Sequence, residues 1–447
     1  MTKEDNFLAV TGQTNFRDNK RLFGIKTEDR RQHLYIVGKT GRGKSALLHN
    51  LASQDIQAGH GLCVIDPHGD LAHDLLKQVP VARTNDVIYF NAADQAYPIA
   101  FNPLENVPEG HRHLVVSNLI AVFQRLWHDS WGPRLEHILR NILFTLLEIP
   151  GSSLFCVQRI LTDKKYRQRV IRQLDDPYLR KFWLEEAPTY FEGSLQAEAL
   201  SPILNKVGQF LSAPLMRNIL GQPKSAIDLR DAMDTKKIII VNLSKGAVGE
   251  DNARLLGALL VTKLQLAAMS RVGIPEKDRV DFYLYVDEFQ NYATESFGQI
   301  LSEARKYRLN LILAHQFSAQ LPEPIRLAIF GNVGSIVAFQ VGPEDADLLA
   351  TEFAPVFNAE DIMNLPRYHV YLKLLIDGSV SHAFSATTLP PAGPPNDAAD
   401  PETIIRVSRE RYASPRELVR TRLERWMKTP ANPTEDAAHD EGEQLLE

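Results

Sequence analysis

Residues Gly38-Lys39-Thr40-Gly41-Arg42-Gly43-Lys44-Ser45 spell G-x-x-x-x-G-K-[ST], with the apolar run Leu34-Tyr35-Ile36-Val37 before them and Ala46-Leu47-Leu48-His49-Asn50-Leu51 after them. The first run reads as a short buried strand and the second as the start of a helix, so the glycine-rich loop lies between a strand and a helix N-terminus. There the glycines let successive backbone N–H groups turn toward one anion, and the first helical turn adds its partial positive charge. Gly38 to Ala46 is expected to cradle nucleotide phosphates, with Lys44 reaching the β/γ oxygens and the Ser45 hydroxyl holding Mg²⁺. The stretch implies a P-loop nucleotide hydrolase.

Further apolar runs at Leu62 to Ile65, Val87 to Phe90, Ile238 to Leu243, Phe282 to Val286, Leu309 to Ala314, Ser335 to Phe339 and Val370 to Leu375 alternate with helical patterns. Their continuous apolar character predicts a mostly parallel sheet covered by helices on both faces, an α/β fold of the RecA-like, additional-strand type. From Asn102-Pro103-Leu104 to about Met233 only helical spacing is seen, as in Arg134-Leu135-Glu136-His137-Ile138-Leu139-Arg140-Asn141-Ile142-Leu143. The expected division is 1–104 and 235–388 for the two parts of the nucleotide-binding domain, 105–234 for an inserted all-helical domain, and 389–447 for a tail. That tail opens on Leu389-Pro390-Pro391-Ala392-Gly393-Pro394-Pro395-Asn396, read as a stiff linker where the core ends. Ser414-Pro415-Arg416-Glu417 then opens a helix with a capping box, and Ile404 to Lys428 carries eight basic residues against three Glu, a net of +5. An acidic end follows, with Glu435, Asp436, Asp440, Glu441, Glu443 and Glu447. A basic helix of this kind suits DNA or an acidic protein partner as well as plain solvation.

With 447 residues, 44% hydrophobic, the chain has enough apolar content for one large core or two moderate ones. Cys63 and Cys156 are its only cysteines, which excludes a disulfide framework and a cysteine zinc site. Met1 to Val10 has no apolar signal core, and Leu255 to Met269 is interrupted by Thr262, Lys263 and Gln265 before the roughly 18 residues a membrane span needs. A soluble, cytoplasmic protein is expected. The net charge of -5 and pI near 6.3 give no bulk electrostatic footprint for nucleic acid, so any such contact has to be local.

Phe282-Tyr283-Leu284-Tyr285-Val286-Asp287-Glu288 is an apolar strand ending in two carboxylates, the form of a Walker B motif. Asp287 is expected to hold Mg²⁺ and Glu288 to orient and deprotonate the attacking water. The adjacent acidic base and the absence of an Asn-Lys-x-Asp motif favour ATP over GTP. Leu309 to Ala314 ends at His315-Gln316, where a strand inserted between the P-loop and Walker B strands would place Gln316 to sense the γ-phosphate. Glu303-Ala304-Arg305-Lys306-Tyr307-Arg308 leads into that strand, and an arginine there would serve as a finger for a neighbouring subunit's nucleotide if it lay on a subunit edge. Asp66, in Asp66-Pro67-His68-Gly69-Asp70, is placed either near the metal or in an Asx-Pro turn. Leu243-Ser244-Lys245-Gly246 only faintly echoes a transporter signature.

Together these parts resemble the FtsK/HerA superfamily of ring ATPases, over about residues 20 to 388, and most closely the type IV secretion DNA-binding and coupling ATPases. The strings that carry the resemblance are Val64-Ile65-Asp66-Pro67-His68-Gly69-Asp70-Leu71, Trp131 to Arg140, Val286-Asp287-Glu288-Phe289-Gln290-Asn291, and Glu303-Ala304-Arg305-Lys306 followed by Ala314-His315-Gln316. The resemblance implies a homo-hexamer with ATP at subunit interfaces, DNA in a central channel, Arg305 as the trans finger and Gln316 as the sensor. Two departures stand out. The N-terminal membrane helices of anchored coupling proteins are not seen, and about 30 residues before the loop leave no room for the β-barrel of HerA helicases. A motor that borrows its membrane docking from a partner is the expectation, with a secretion or assembly ATPase acting on protein, or a nucleotide-gated ring scaffold of a defence complex, as the alternatives.

Overall fold

A computed structural model describes residues 7–127, 131–191, 196–293 and 297–428. The chain divides into two compact units: one of residues 1–95, 121–126 and 226–413, and one of residues 96–120, 127–225 and 414 onward.

Among the described residues the first unit holds thirteen strands. They are β1 Leu8–Thr14, β2 Leu22–Lys26, β3 Leu34–Val37, β4 Gly61–Asp66, β5 Val87–Asn91, β6 Ile238–Asn242, β7 Phe282–Val286, β8 Leu309–His315, β9 Ser335–Ala338, β10 His369–Lys373, β11 Leu375–Ile376, β12 Ser379–Val380 and β13 Phe384–Thr387. Eleven form one sheet in the order β2-β1-β13-β10-β9-β3-β8-β7-β4-β6-β5, and β11 pairs with β12. The seven strands from β9 to β5 are parallel, in registers such as Ile36 opposite Ala314 and Val286 opposite Leu313. Residues Leu34–Val37, Phe282–Val286 and Leu309–His315 are buried throughout, as a sheet covered on both faces requires. The sheet continues antiparallel through β10, β13, β1 and β2.

β8 lies between β3 and β7, so one strand separates the glycine-rich loop from the Walker B carboxylates. Parallel strands of this order end on one edge, where ligands bind in such folds. Beneath it, Arg30 grips Asp55 of the Lys44–Gln57 helix through two bonds of 2.7 Å and reaches the Tyr285 hydroxyl of β7 at 2.9 Å. His60 Nδ1 lies 3.0 Å from the same carboxylate. Burial alone would raise the Asp55 carboxyl, but the charge and bonds of Arg30, with His60, bring it down to about 2.

The segment read as a linker lies against the core instead. Asn50, in the helix after the loop, donates to the carbonyls of Leu389 (3.2 Å) and Pro390 (2.9 Å) and accepts from the Ala392 amide (2.8 Å). Prolines lack N–H groups but keep their carbonyls, and one buried side-chain amide is enough to pin such a stretch. The helix Pro401–Tyr412 then packs on β5, where Ser408 Oγ accepts from the Tyr89 amide at 2.9 Å. Glu250–Gly273, which includes the helix Glu250–Met269, is long and apolar enough to cross a membrane, but 67% of its apolar window is buried inside the protein.

The second unit is helical. Pro133–Glu148 starts with Gly132 as cap and Pro133 in its first turn, and Glu136 accepts from the Trp131 indole (3.0 Å) and from Arg140 (2.7 Å). Ile138, Leu139, Ile142 and Leu143 are buried at helical spacing. The basic helix Arg416–Lys428 buries Val419 and Leu423 in the same unit, and its Trp426 stacks edge-on against Phe155 and Tyr166. It is docked through these residues, and Arg420, Arg422 and Arg425 remain exposed. The acidic end beyond it lies outside the described residues.

Candidate active site

Gly38 closes β3 and the helix Lys44–Gln57 begins six residues on, with Gly41 at φ 74° and Gly43 at φ 123°. A Cβ on Gly43 would come within 2.9 Å of Tyr368 and 3.0 Å of Phe339, so both conformation and space demand glycine there. Lys39, Thr40 and Ser45 are exposed, whereas Lys44 is buried and donates to the carbonyls of Gly38 (2.6 Å) and Lys39 (3.3 Å). Burial lowers its ammonium below the ordinary value, opposed by the charges of Glu288 and Asp287. A cavity of about 580 Å³ opens beside Lys39 and Thr40, with Gln316 and the Gly342-Pro343 helix start on its far wall.

Asp287 and Glu288 follow β7 directly. The Asp287 carboxylate is 3% exposed and accepts from the Glu288 amide at 3.0 Å. Burial, then the charges of Glu288 and Asp66, push its carboxyl up to about 7. Glu288 has φ 48° and ψ 48°, a left-handed conformation that is costly for a residue with a side chain and that clusters at functional sites. Its carboxylate is held from both sides: Gln316 Nε2 donates to Oε1 at 2.8 Å and Gln290 Nε2 to Oε2 at 2.6 Å. Lysine, two carboxylates and glutamine thus converge at neighbouring strand ends, a set able to neutralise phosphate charge and aim a water.

Asp66 lies at the end of β4, but its two oxygens accept from the His68 amide (2.8 Å) and the Ala72 amide (2.9 Å). It shapes the turn into the Asp70–Leu76 helix and acts on Asp287 through its charge. Arg305 does not join the group. It is exposed in the turn Ala304–Tyr307 ahead of β8, while Gln316 follows that strand, and seven residues of extended chain span about 20 Å.

Two nearby residues had no role assigned from sequence. Gln290 sits inside a string quoted for the resemblance, yet only the fold shows its amide on Glu288. Lys245, in the string set aside, donates to Asn291 Oδ1 at 3.3 Å, and burial lowers its ammonium. The signal was a lysine just past a strand end, which gains meaning only once that strand is known to neighbour β4 and β5.

Residues 24–264 match the family model described as the central domain of helicase HerA. A curated relative, the type 4 coupling protein DotL of Legionella pneumophila, is 24% identical over 370 residues, covering 69% of this chain and 46% of DotL, so the chain spans about half the length of that relative. Among solved structures, the bacterial conjugative coupling protein TrwB superposes with a TM-score of 0.61 at 16% identity, covering 87% of this chain and 91% of TrwB. TrwB in complex with ADP and Mg²⁺ matches with a TM-score of 0.58 at 16% identity, covering 87% and 92%. VirB4 of Thermoanaerobacter pseudethanolicus gives 0.56 at 14% identity, covering 90% and 98%. At these identities the solved structures establish a shared fold. Since the family model spans more than half of the residues and takes in both the glycine-rich loop and the Lys44–Gln57 helix, the chain belongs to the HerA central-domain family.

Proposed function

We propose that this protein is an ATP-driven DNA translocase of the coupling type, working as a homo-hexamer with ATP between subunits. The observation that carries the reading is the direct bond between Glu288 and Gln316 on adjacent strands, which would couple the base to a sensor of the γ-phosphate. Lys44 would bind the β/γ oxygens, and the backbone from Gly38 to Ala46 the remaining phosphates. Ser45 and Asp287 would hold Mg²⁺, whose chemistry is to neutralise charge on the phosphates. The donor set fits: a hydroxyl in the first helical turn and one carboxylate supply hard oxygens, and magnesium takes its other ligands from phosphate and water. Among the described residues no cluster of three His, Cys, Asp or Glu offers a separate metal site.

Glu288 then takes a proton from the attacking water. Arg305, exposed and remote from its own subunit's carboxylates, is suited to reach a neighbour's nucleotide. TrwB is named as a conjugative coupling protein and has been solved with ADP and Mg²⁺, which supports DNA as the track and ATP as the fuel. A net charge of -5 favours a second reading, an ATPase acting on protein partners, for which the docked basic helix Arg416–Lys428 offers a contact surface.

The test is steady-state ATP hydrolysis with long double-stranded DNA, with single-stranded DNA and without either, at low and moderate salt, using Lys44→Ala as the blank. Salt-sensitive stimulation by one DNA form supports the translocase. Lys44-dependent hydrolysis indifferent to both DNAs overturns it in favour of the protein-directed reading.

A further inference from the structure

Behind the Walker B loop lies a second cavity, of about 280 Å³, that the hydrolysis scheme does not use. Its walls include Arg125, Arg254, Gln290, Tyr292 and Gln320, all in the α/β unit. Three polar atoms around it are buried without a hydrogen-bond partner: Gln290 Oε1, Tyr292 Oη and Gln320 Oε1. Gln290 is 8% exposed and Tyr292 2%. Buried polar atoms are rarely left unpaired, and three around one cavity indicate a group that pairs with them.

The charge of the cavity says which kind of group. Arg254 keeps 41% of its side chain exposed and is partly offset by Glu250 at 2.7 Å, so the cavity reaches the surface beside a guanidinium. The Arg125 guanidinium donates to the carbonyls of Gln290 and Ala293, and partial desolvation together with the like charge of Arg254 holds it below its ordinary value. The two guanidinium groups set positive charge beside the tyrosine hydroxyl, against the charges of Asp66, Asp287 and Glu288 that also act on it, and Arg254 is the one open toward solvent to meet a phosphate. Each glutamine presents its carbonyl or its amino end by turning about the last side-chain bond, so both can become donors to an anion.

Gln290 has one amino group, and it is on Glu288 Oε2 at 2.6 Å. We propose that the cavity receives a backbone phosphate of nucleic acid, and that this phosphate competes with Glu288 for the amide of Gln290. Turning the Gln290 amide to the phosphate brings its carbonyl oxygen against Glu288 Oε2, so Glu288 loses one of its two restraints, is repelled, and swings toward the attacking water. Gln290 is then a positioning residue through which the track reports to the base. The inference rests on the DNA-translocase reading and gives it a contact point.

The experiment compares ATP hydrolysis with and without saturating DNA in wild type, Arg254→Gln and Gln290→Leu, each checked for an unchanged melting temperature. Arg254→Gln should lower the ratio of stimulated to basal rate about tenfold, as loss of one charge-assisted contact does. Gln290→Leu should raise the basal rate toward the stimulated one and flatten the response, leaving the KM for ATP in place. A residue that merely supported the loop would lower both rates together, and that pattern overturns the proposal. So does an unchanged ratio in Arg254→Gln, whose exposed side chain is not needed for folding. If wild type itself ignores DNA, the translocase reading fails and takes the DNA source with it. A wild type stimulated by DNA with both variants unaltered rejects the cavity alone. Stimulation by inorganic phosphate at matched ionic strength, abolished in Arg254→Gln, would assign the seat to free phosphate and overturn its assignment to nucleic acid.

Discussion

The side-chain amide of Gln316 donates to Glu288 Oε1 across 2.8 Å, joining the ends of neighbouring strands β8 and β7. If Gln316 is the sensor and Glu288 the base, as proposed, this contact would couple the two in function. Glu288→Gln should keep ATP affinity and assembly while kcat falls by about 10² to 10⁴, the range a general base supplies. Gln316→Ala should lower kcat more than it raises KM. Normal turnover in Glu288→Gln would rule out the base assignment.

Arg305 stands about one strand length from its own subunit's carboxylates. Arg305→Ala should abolish hydrolysis, and mixing it with Lys44→Ala subunits should restore part of it, since each supplies what the other's interface lacks. Mixed oligomers with no recovered activity, under conditions where subunit exchange is demonstrated, would argue against a trans role.

The buried pair of Arg30 and Asp55 fixes the loop helix to the strand that carries the carboxylates. Asp55→Ala leaves a guanidinium buried without its partner and should destabilise the fold by about 3–5 kcal/mol. Chemical denaturation measures this directly, and a loss below about 1 kcal/mol would show that the pair contributes little.

Acid should weaken the fold through two buried histidines, opposed over the same range by Asp287, whose raised carboxyl takes up its proton near pH 7 in the folded chain. His33 accepts from the Leu311 amide at Nδ1 (3.1 Å) and so donates from Nε2 to the Leu301 carbonyl (3.1 Å), a neutral ring with no place for a second proton. Burial holds it down to about 4, and burial with the charge of Lys44 holds His315 down to about 3. In the unfolded chain both bind protons near the ordinary histidine value, so stability is complete above pH 6.5 or so and falls as pH drops toward 4 and 3. The loss at pH 5 should be on the order of 2 kcal/mol for each histidine. In an Asp287→Asn background, which removes that opposing titration, denaturation midpoints that stay flat from pH 7 to pH 5 would contradict this.

Much of the parallel sheet was legible because β3, β4, β7 and β8 are unbroken apolar runs, a pattern that burial on both faces produces. β1, β2 and β13 were not. Their residues are partly exposed, as in Leu22, Phe23 and Phe384, and antiparallel pairing at a sheet margin leaves no comparable run. The carboxylates of β7 and the glutamine after β8 could be found because each follows a strand end. Gln290 and Lys245 could not, since their meaning depends on which strands are neighbours. The proline-rich stretch misled for a related reason: what holds it is Asn50, more than 300 residues away in sequence.

β8 has one further consequence. It is buried over its whole length in mid-sheet, bonded along both sides to β3 and β7, and bears Arg305 at its entrance and Gln316 at its exit. Such a strand cannot stretch or bend without breaking hydrogen bonds with both neighbours. If Gln316 senses one nucleotide and Arg305 serves the next, as proposed, a shift imposed at one end would be delivered almost undiminished to the other. In a ring built from these subunits, the order in which sites fire would follow from stiffness alone, as in a train of push-rods, with no flexible messenger between them.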